Sequence, residues 1–187
     1  VGSEMCIRDS LMGVVVEHCQ VSIQGTKLRS EGPLLFTHWG MSGPAILKLS
    51  SLGARLLSKK NYVFKVQVNW TAVRDQEVVV TELKRIMSEH PKKLITNIRP
   101  FTLPDRLWSS LLEKCELATD KKCGELGKSG LNRLANVLTN DVYEVKGRTQ
   151  FKEEFVTCGG VSLDSVDFKT MQSRVCENLY FAGEVMD

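Results

Sequence analysis

The sequence predicts an α+β chain in three stretches: a β-barrel-like layer over 11–70, a helical bundle over 71–140, and a return to strand over 141–187. Three observations carry this. Before position 70 apolar residues alternate with polar ones, as in half-buried strands. Beyond it their spacing changes to three and four residues, as on one face of a helix. Pro91, Pro100 and Pro104 then cut the helical stretch into three or four segments, because proline lacks the amide that a helix interior needs.

Each element follows from its residues. The opening Val1-Gly-Ser-Glu-Met-Cys-Ile-Arg-Asp-Ser10 has neither period and reads as extraneous, adapter-like sequence, so 1–10 is set aside from the fold. Val14, Val16, Val21 and Ile23 predict a strand pair or one long bent strand, and a second strand follows over 33–37. Ser42 is the expected cap of a helix with Pro44 in its first turn, and Ala45, Leu49, Leu52 and Leu56 are its expected buried face. Tyr62, Phe64, Val66 and Val68 alternate with Val63, Lys65 and Gln67 as a strand that Asn69 and Trp70 close. In the bundle, Val79, Leu83, Ile86 and Met87 form one stripe, Leu107, Leu111, Leu112 and Cys115 a second, and Leu131, Leu134 and Leu138 a third. The polar stretch 120–130 is a loop, with Ser129 capping the last helix. Strand character returns at 142–145 and 151–161, and the apolar and aromatic run 179–182 fits a buried parallel strand.

Composition narrows the class. With 42% hydrophobic and 25% charged residues in 187, the chain is an ordinary globular one. A formal net charge of +3 argues for no nucleic-acid partner, and the pairs Lys59-Lys60, Lys92-Lys93 and Lys121-Lys122 read as solvated helix ends. The cysteines Cys6, Cys19, Cys115, Cys123, Cys158 and Cys176 are scattered, with no CxxC pair and no paired histidines at ligand spacing, so no metal site is expected and reduced, mostly buried thiols are. No run is long enough to span a membrane, which points to a soluble protein, cytoplasmic or organellar.

The chemistry concentrates near the C-terminus. Gly159 and Gly160 after Cys158 permit a close backbone approach to a flat ring or a phosphate, or else make a tight turn between strands. Lys169-Thr-Met-Gln-Ser173 lines a cofactor pocket or is a polar strand. Gly183 ends the run 179–182, and Glu184 then stands at the carboxyl end of the expected strand, where ligands sit in open α/β sheets. There it is placed to accept hydrogen bonds from a ribose or ribityl hydroxyl. His38, in a glycine-bounded loop before a helix start, is the candidate proton donor, a backbone-bonded structural histidine being the alternative. His18 and His90 are weaker candidates, and Cys158 is a redox thiol or a small buried side chain.

Taken together, Leu35-Phe-Thr-His-Trp-Gly-Met-Ser-Gly-Pro-Ala-Ile46, Phe155-Val-Thr-Cys-Gly-Gly-Val161, Lys169-Thr-Met-Gln-Ser173 and Asn178-Leu-Tyr-Phe-Ala-Gly-Glu-Val-Met-Asp187 resemble the BaiN/YhiN-like NAD(P)/FAD-dependent oxidoreductases. The resemblance implies a Rossmann-type two-dinucleotide-binding FAD domain interrupted by the barrel-like and helical inserts, with 141–187 the returning FAD-domain segment. It implies that Gly159, Gly160 and Val161 lie near the flavin, and that Gly183, Glu184 and Asp187 belong to the motif holding its ribityl and pyrophosphate region. No GxGxxG occurs, so both ends are expected to be truncations, and this stretch alone is expected to bind FAD poorly.

The function expected is therefore that of part of an FAD-dependent oxidoreductase moving hydride or electrons between NAD(P)H and a small-molecule substrate, with no nucleic acid and no membrane involved. The alternative is a non-catalytic module that docks protein or RNA.

Overall fold

The computed structural model describes residues 9–38, 40–147 and 159–186, in two units that divide as Val1–Gln150 and Phe151–Asp187. In the first, β1 (Val15–Ile23), β2 (Arg29–Thr37), β3 (Gly40–Ser42), β4 (Val63–Asn69) and β5 (Asp141–Lys146) make one antiparallel sheet in the order β3-β2-β1-β4-β5. Among the described residues no ladder joins β5 to β3. Of the two alternatives near the N-terminus, the long bent strand is the one formed. Between the pairs Val16–Leu34 and Cys19–Gly32, Glu17 and His18 stand opposite Pro33 alone, which is a bulge. Pro33 has no amide to give a ladder, so a break in pairing is where it can sit within β2. The extra residue resets the inward phase, and Val16, Cys19, Val21 and Ile23 are all buried.

Helix α1 (Pro44–Lys59) departs from expectation in its cap and its phase. Gly43, with φ +99°, holds the N-cap position, and no side chain caps the helix, Ser42 included. A Cβ on Gly43 would lie 2.9 Å from the Pro33 carbonyl oxygen and 3.3 Å from Leu34 Cα, so both its backbone angle and its closeness to β2 require glycine. The buried residues are Ala45, Ile46, Leu49, Gly53 and Leu57, while Leu52 is 66% exposed. A Cβ on Gly53 would come within 3.1 Å of the Ile23 side chain, so the helix packs close on β1 here, with Leu49 and Leu57 buried on the same face.

The bundle is made of α2 (Gln76–Glu89), α3 (Asp105–Lys114) and α4 (Gly127–Thr139), with single 3-10 turns at Ile95–Asn97, Pro100–Thr102 and Cys123–Glu125. The Asp75 carboxylate accepts from the Glu77 amide at 2.8 Å and starts α2. Helix α4 begins ahead of the expected Ser129 cap, with Leu126 in the N-cap position and no side-chain bond. All three expected stripes face inward, although Ile86 and Leu131 are only partly buried. Both α2 and α3 pack on α4, and their apolar faces form one continuous core with the inner face of the sheet. Barrel-like layer and bundle thus share a core rather than standing as separate bodies.

Sheet and bundle are fastened at one carboxylate. Asp141, the first residue of β5, is 4% exposed. Its Oδ2 accepts from Trp70 Nε1 at 3.0 Å and from the Tyr143 hydroxyl at 2.7 Å, and its Oδ1 accepts from Lys114 Nζ at 2.5 Å. Trp70 follows the last residue of β4, Lys114 ends α3, and the Trp70 amide donates to the Leu138 carbonyl of α4 at 2.8 Å. Phe36 stacks on Trp70 at 5.7 Å, Tyr143 meets it edge-on at 6.4 Å, and Lys114 Nζ lies 4.1 Å from the Tyr143 ring centre. Because β5 pairs with β4 over six residue pairs, Asp141–Lys146 completes this sheet, although the sequence groups it with the C-terminal segment.

In the second unit β6 (Val166–Asp167) and β7 (Gln172–Ser173) pair antiparallel around a turn in which the Asp167 carboxylate accepts from the Lys169 amide at 3.0 Å. The expected buried parallel strand at 179–182 is not formed. Asn178, at φ +60°, turns the chain back on β7; the Ser173 amide donates to the Leu179 carbonyl at 2.7 Å and the Phe181 amide to the Met171 carbonyl at 2.9 Å. The pairing is therefore a single antiparallel bridge, Gln172–Tyr180, and Tyr180 is 59% exposed because no second layer covers the run among the described residues of this unit. No α-helix occurs among its described residues either, so the Rossmann-type architecture expected there is not seen.

Two predictions follow from these contacts. Gly43→Ala is expected to lower stability by roughly 1–3 kcal/mol in urea unfolding, from left-handed strain and the clash with β2, and an unchanged midpoint would refute the close approach. Burial, the Asp141 charge and the bond to that carboxylate all push the Tyr143 phenol far above its ordinary value. It stays protonated in the folded chain at a pH where the unfolded chain ionises it, so its contribution is complete below about pH 10 and is lost as the pH rises further. Tyr143→Phe should therefore flatten the alkaline fall of the thermal midpoint relative to the parent; parallel pH curves for the two would contradict this.

Candidate functional site

The two glycine-bearing segments singled out in the sequence lie side by side in the second unit. The Val161 amide donates to the Val185 carbonyl at 2.8 Å, and Val161 and Met186 form a parallel bridge. Gly159 (φ +108°) and Gly183 (φ +76°) both have left-handed backbone, and no atom lies within 4 Å of where a Cβ would stand on either. Gly160 and Glu184 are exposed, Glu184 within the 3-10 turn Gly183–Val185. The edge thus offers bare backbone at two points, and an exposed carboxylate next to the second of them in sequence. Asp187, Cys158 and the rest of 151–158 lie outside the described residues.

His38 belongs to the first unit, at the turn between β2 and β3, where it is exposed and its Nδ1 lies against the Met12 thioether. His18 is exposed at the β1 bulge, and His90 follows the last turn of α2. Of the cysteines, Cys19, Cys115 and Cys123 are buried and Cys176 is exposed. Burial pushes the Cys19 thiol up to about 12 and that of Cys115 to about 11, which keeps both in the unreactive protonated form. Among the described residues no group of three His, Cys, Asp or Glu side chains is arranged to hold a metal.

A second place, which the sequence reading missed, lies on the outward face of the sheet. Registered pairing sets Arg29, Ser22 and Gln67 in one row across β2, β1 and β4, and Glu31, Gln20 and Asn69 in the next. With the start of α2 and the end of α4 as walls, these rows floor a cleft of about 280 Å³ in which every lining residue is polar or cationic. Gln20 Nε2 donates to Glu31 at 2.5 Å, Gln67 Nε2 to Asn140 Oδ1 at 2.5 Å, and Arg74 pairs with Glu31 at 3.6 Å. The available signal was the alternation itself: Gln20, Ser22 and Gln67 are the outward positions of strands whose inward positions are valine and isoleucine. The wall residues could not be added from sequence, since Thr139 and Asn140 are about seventy positions from Gln67.

The model of the family described as "HI0933-like protein barrel and H2TH domain" matches residues 3–156, a span that overlaps the first ten residues set aside above. The chain is 31% identical over 177 residues to the ribosomal RNA dihydrouridine synthase of Escherichia coli, a match covering 95% of this chain and 41% of that protein. It is 28% identical over 161 residues to the protein of the same name from Haemophilus influenzae, covering 82% of this chain and 36% of that one. The chain therefore spans about two fifths of the length of these curated relatives. Their names overturn the expectation of a small-molecule substrate and no nucleic acid. A net charge of +3 excludes no nucleic-acid partner, because it sums the whole chain, whereas contact with phosphate depends on where particular cations stand. The resemblance read from the motifs holds at the coarser level of a flavoprotein-related family, and no helix among the described residues is long and apolar enough to cross a membrane. By the match over most of its length, this chain belongs to the HI0933-like family.

Proposed function

We propose that the chain is the barrel-and-bundle part, with one flavin-facing edge, of an FAD-dependent oxidoreductase that reduces uridine in ribosomal RNA. The names of its relatives support the reaction, and the observation that carries the cofactor is the pairing of Val161 with Val185, which sets Gly159 and Gly183 on one edge. Reduction of a uridine ring adds a hydride at one carbon of its double bond and a proton at the next, and NAD(P)H is the proposed source of the electron pair. Bound FAD would supply the hydride, having taken it from that donor.

The residues fit one end of such a cofactor. Bare backbone at Gly159 and Gly183, with Gly160 exposed beside the first, would admit a flat ring or a ribityl chain close to the main chain. The Val161 segment would lie along the same edge, and the Glu184 carboxylate is exposed and able to accept from ribityl hydroxyls. The pyrophosphate asks for something else, the N-terminus of a helix, and the 3-10 turns here are three residues long. Asp187 is assigned to the same ribityl and pyrophosphate motif. The first unit would contribute to holding the RNA, and His38, exposed at its turn, is the proposed proton donor.

The test is made on the full-length protein incubated with unmodified ribosomal RNA and NAD(P)H. A bound flavin spectrum and a uridine heavier by the mass of two hydrogens are expected. Gly159→Val and Gly183→Val should each lower FAD affinity about tenfold, the equivalent of the backbone strain and lost approach. His38→Gln should lower turnover and leave flavin content as it was. A colourless protein that binds RNA and reduces nothing would replace this reading with that of a non-catalytic RNA-binding module.

A further inference from the structure

We propose that the polar cleft on the outward face of β1, β2 and β4 holds one unpaired nucleotide of the RNA, with its phosphate at Arg29 and Arg74 and its base edge at Gln20, Ser22 and Gln67. The proposal rests on the RNA-substrate reading above and assigns that substrate a contact surface in the first unit, apart from the flavin edge.

Size and chemistry select this occupant. At about 280 Å³ the cleft lies at the small end of ligand pockets, with room for a nucleoside-sized group and not for a dinucleotide cofactor. Its lining has no apolar or aromatic member, so a ligand held by aromatic stacking or by burial of hydrocarbon would find nothing to rest on. What it offers is amides and guanidinium groups. The Gln20 and Gln67 amides, which line the cleft, each give one bond from Nε2, to Glu31 and to Asn140, so each carbonyl oxygen remains available as an acceptor. A planar amide held in this way matches the paired donor and acceptor of a base edge, a contact open to single-stranded RNA whose bases are not already paired.

The cations stand where the backbone of such a nucleotide would pass. Arg29, in register with Ser22, makes no ion pair among the described residues. Arg74 is paired with Glu31 at 3.6 Å, both side chains more than half exposed, a contact that water and salt weaken and that a phosphate can replace with a two-pronged one. Glu31 itself repels phosphate, and it is bonded to both Gln20 and Arg74, so a phosphate arriving at Arg74 takes the place of that ion pair.

The experiment measures binding of protein-free ribosomal RNA to the full-length protein across a series of salt concentrations, with flavin content and uridine reduction recorded on the same samples. Arg29→Gln with Arg74→Gln is expected to weaken RNA binding at least about tenfold, and to reduce the slope of log affinity against log salt by about 0.7, the value for one phosphate on a single strand. Gln67→Leu is expected to weaken binding with the salt slope unchanged, as loss of a base contact does. Flavin content should match the parent in all of them, which excludes general misfolding. If the parent binds and reduces RNA and these variants do so equally well, the cleft is not the contact surface and the RNA-substrate reading stands. If the parent neither binds nor reduces RNA, that reading fails and the cleft assignment fails with it.

Discussion

A single buried carboxylate holds the first unit together. Asp141 is placed by β5, but its three donors come from the residue after β4, the end of α3 and β5 itself, so this carboxylate ties the sheet to the bundle on top of the apolar core they share. A charge removed from water in this way is tolerable because every side of it is met: Trp70, Tyr143 and Lys114 each give a hydrogen bond, and the Lys114 ammonium remains partly in solvent. Losing one partner of such a buried charge commonly costs roughly 3–5 kcal/mol, a large share of the stability of a domain this size. The outward face of the same strands is then free to be polar, because the inward face and this carboxylate fix their positions.

That division of labour explains what was legible in the sequence. Element types were readable wherever one face is buried: the alternation in β4 and the stripes of α2, α3 and α4 are direct prints of the core. The errors have particular causes. On α1 the expected face Ala45, Leu49, Leu52 and Leu56 fails at Leu52, because leucine spacing carries no trace of Gly53, which has no side chain and packs against Ile23 of β1. Caps were given to Ser42 and Ser129 on residue preference, while Gly43 is held at its position by contact with β2, a tertiary fact. The run 179–182 has the composition of a buried strand, but its partner is chosen by the turn at Asn178, and that turn makes a hairpin.

The candidate sites divide in the same manner. The glycine pairs could be marked from sequence because positive φ and a missing Cβ restrict the residue type, although their adjacency needed the bond from Val161 to Val185. The Asp141 cluster and the polar cleft could not be marked, since each gathers ordinary residues from elements far apart in the chain. Net charge was the poorest guide. A modest total is compatible with two arginines at the edge of an amide-lined cleft, and it is the local arrangement that an RNA backbone meets.

The central claim is that uridine in ribosomal RNA is the proposed substrate, and it is tested most directly in the cell. Ribosomal RNA from cells with and without the gene would be digested to nucleosides and fragments and read by mass spectrometry. The account predicts that one or more dihydrouridines present in the parent disappear on deletion and return when the gene is restored. A dihydrouridine profile identical in both strains would contradict it.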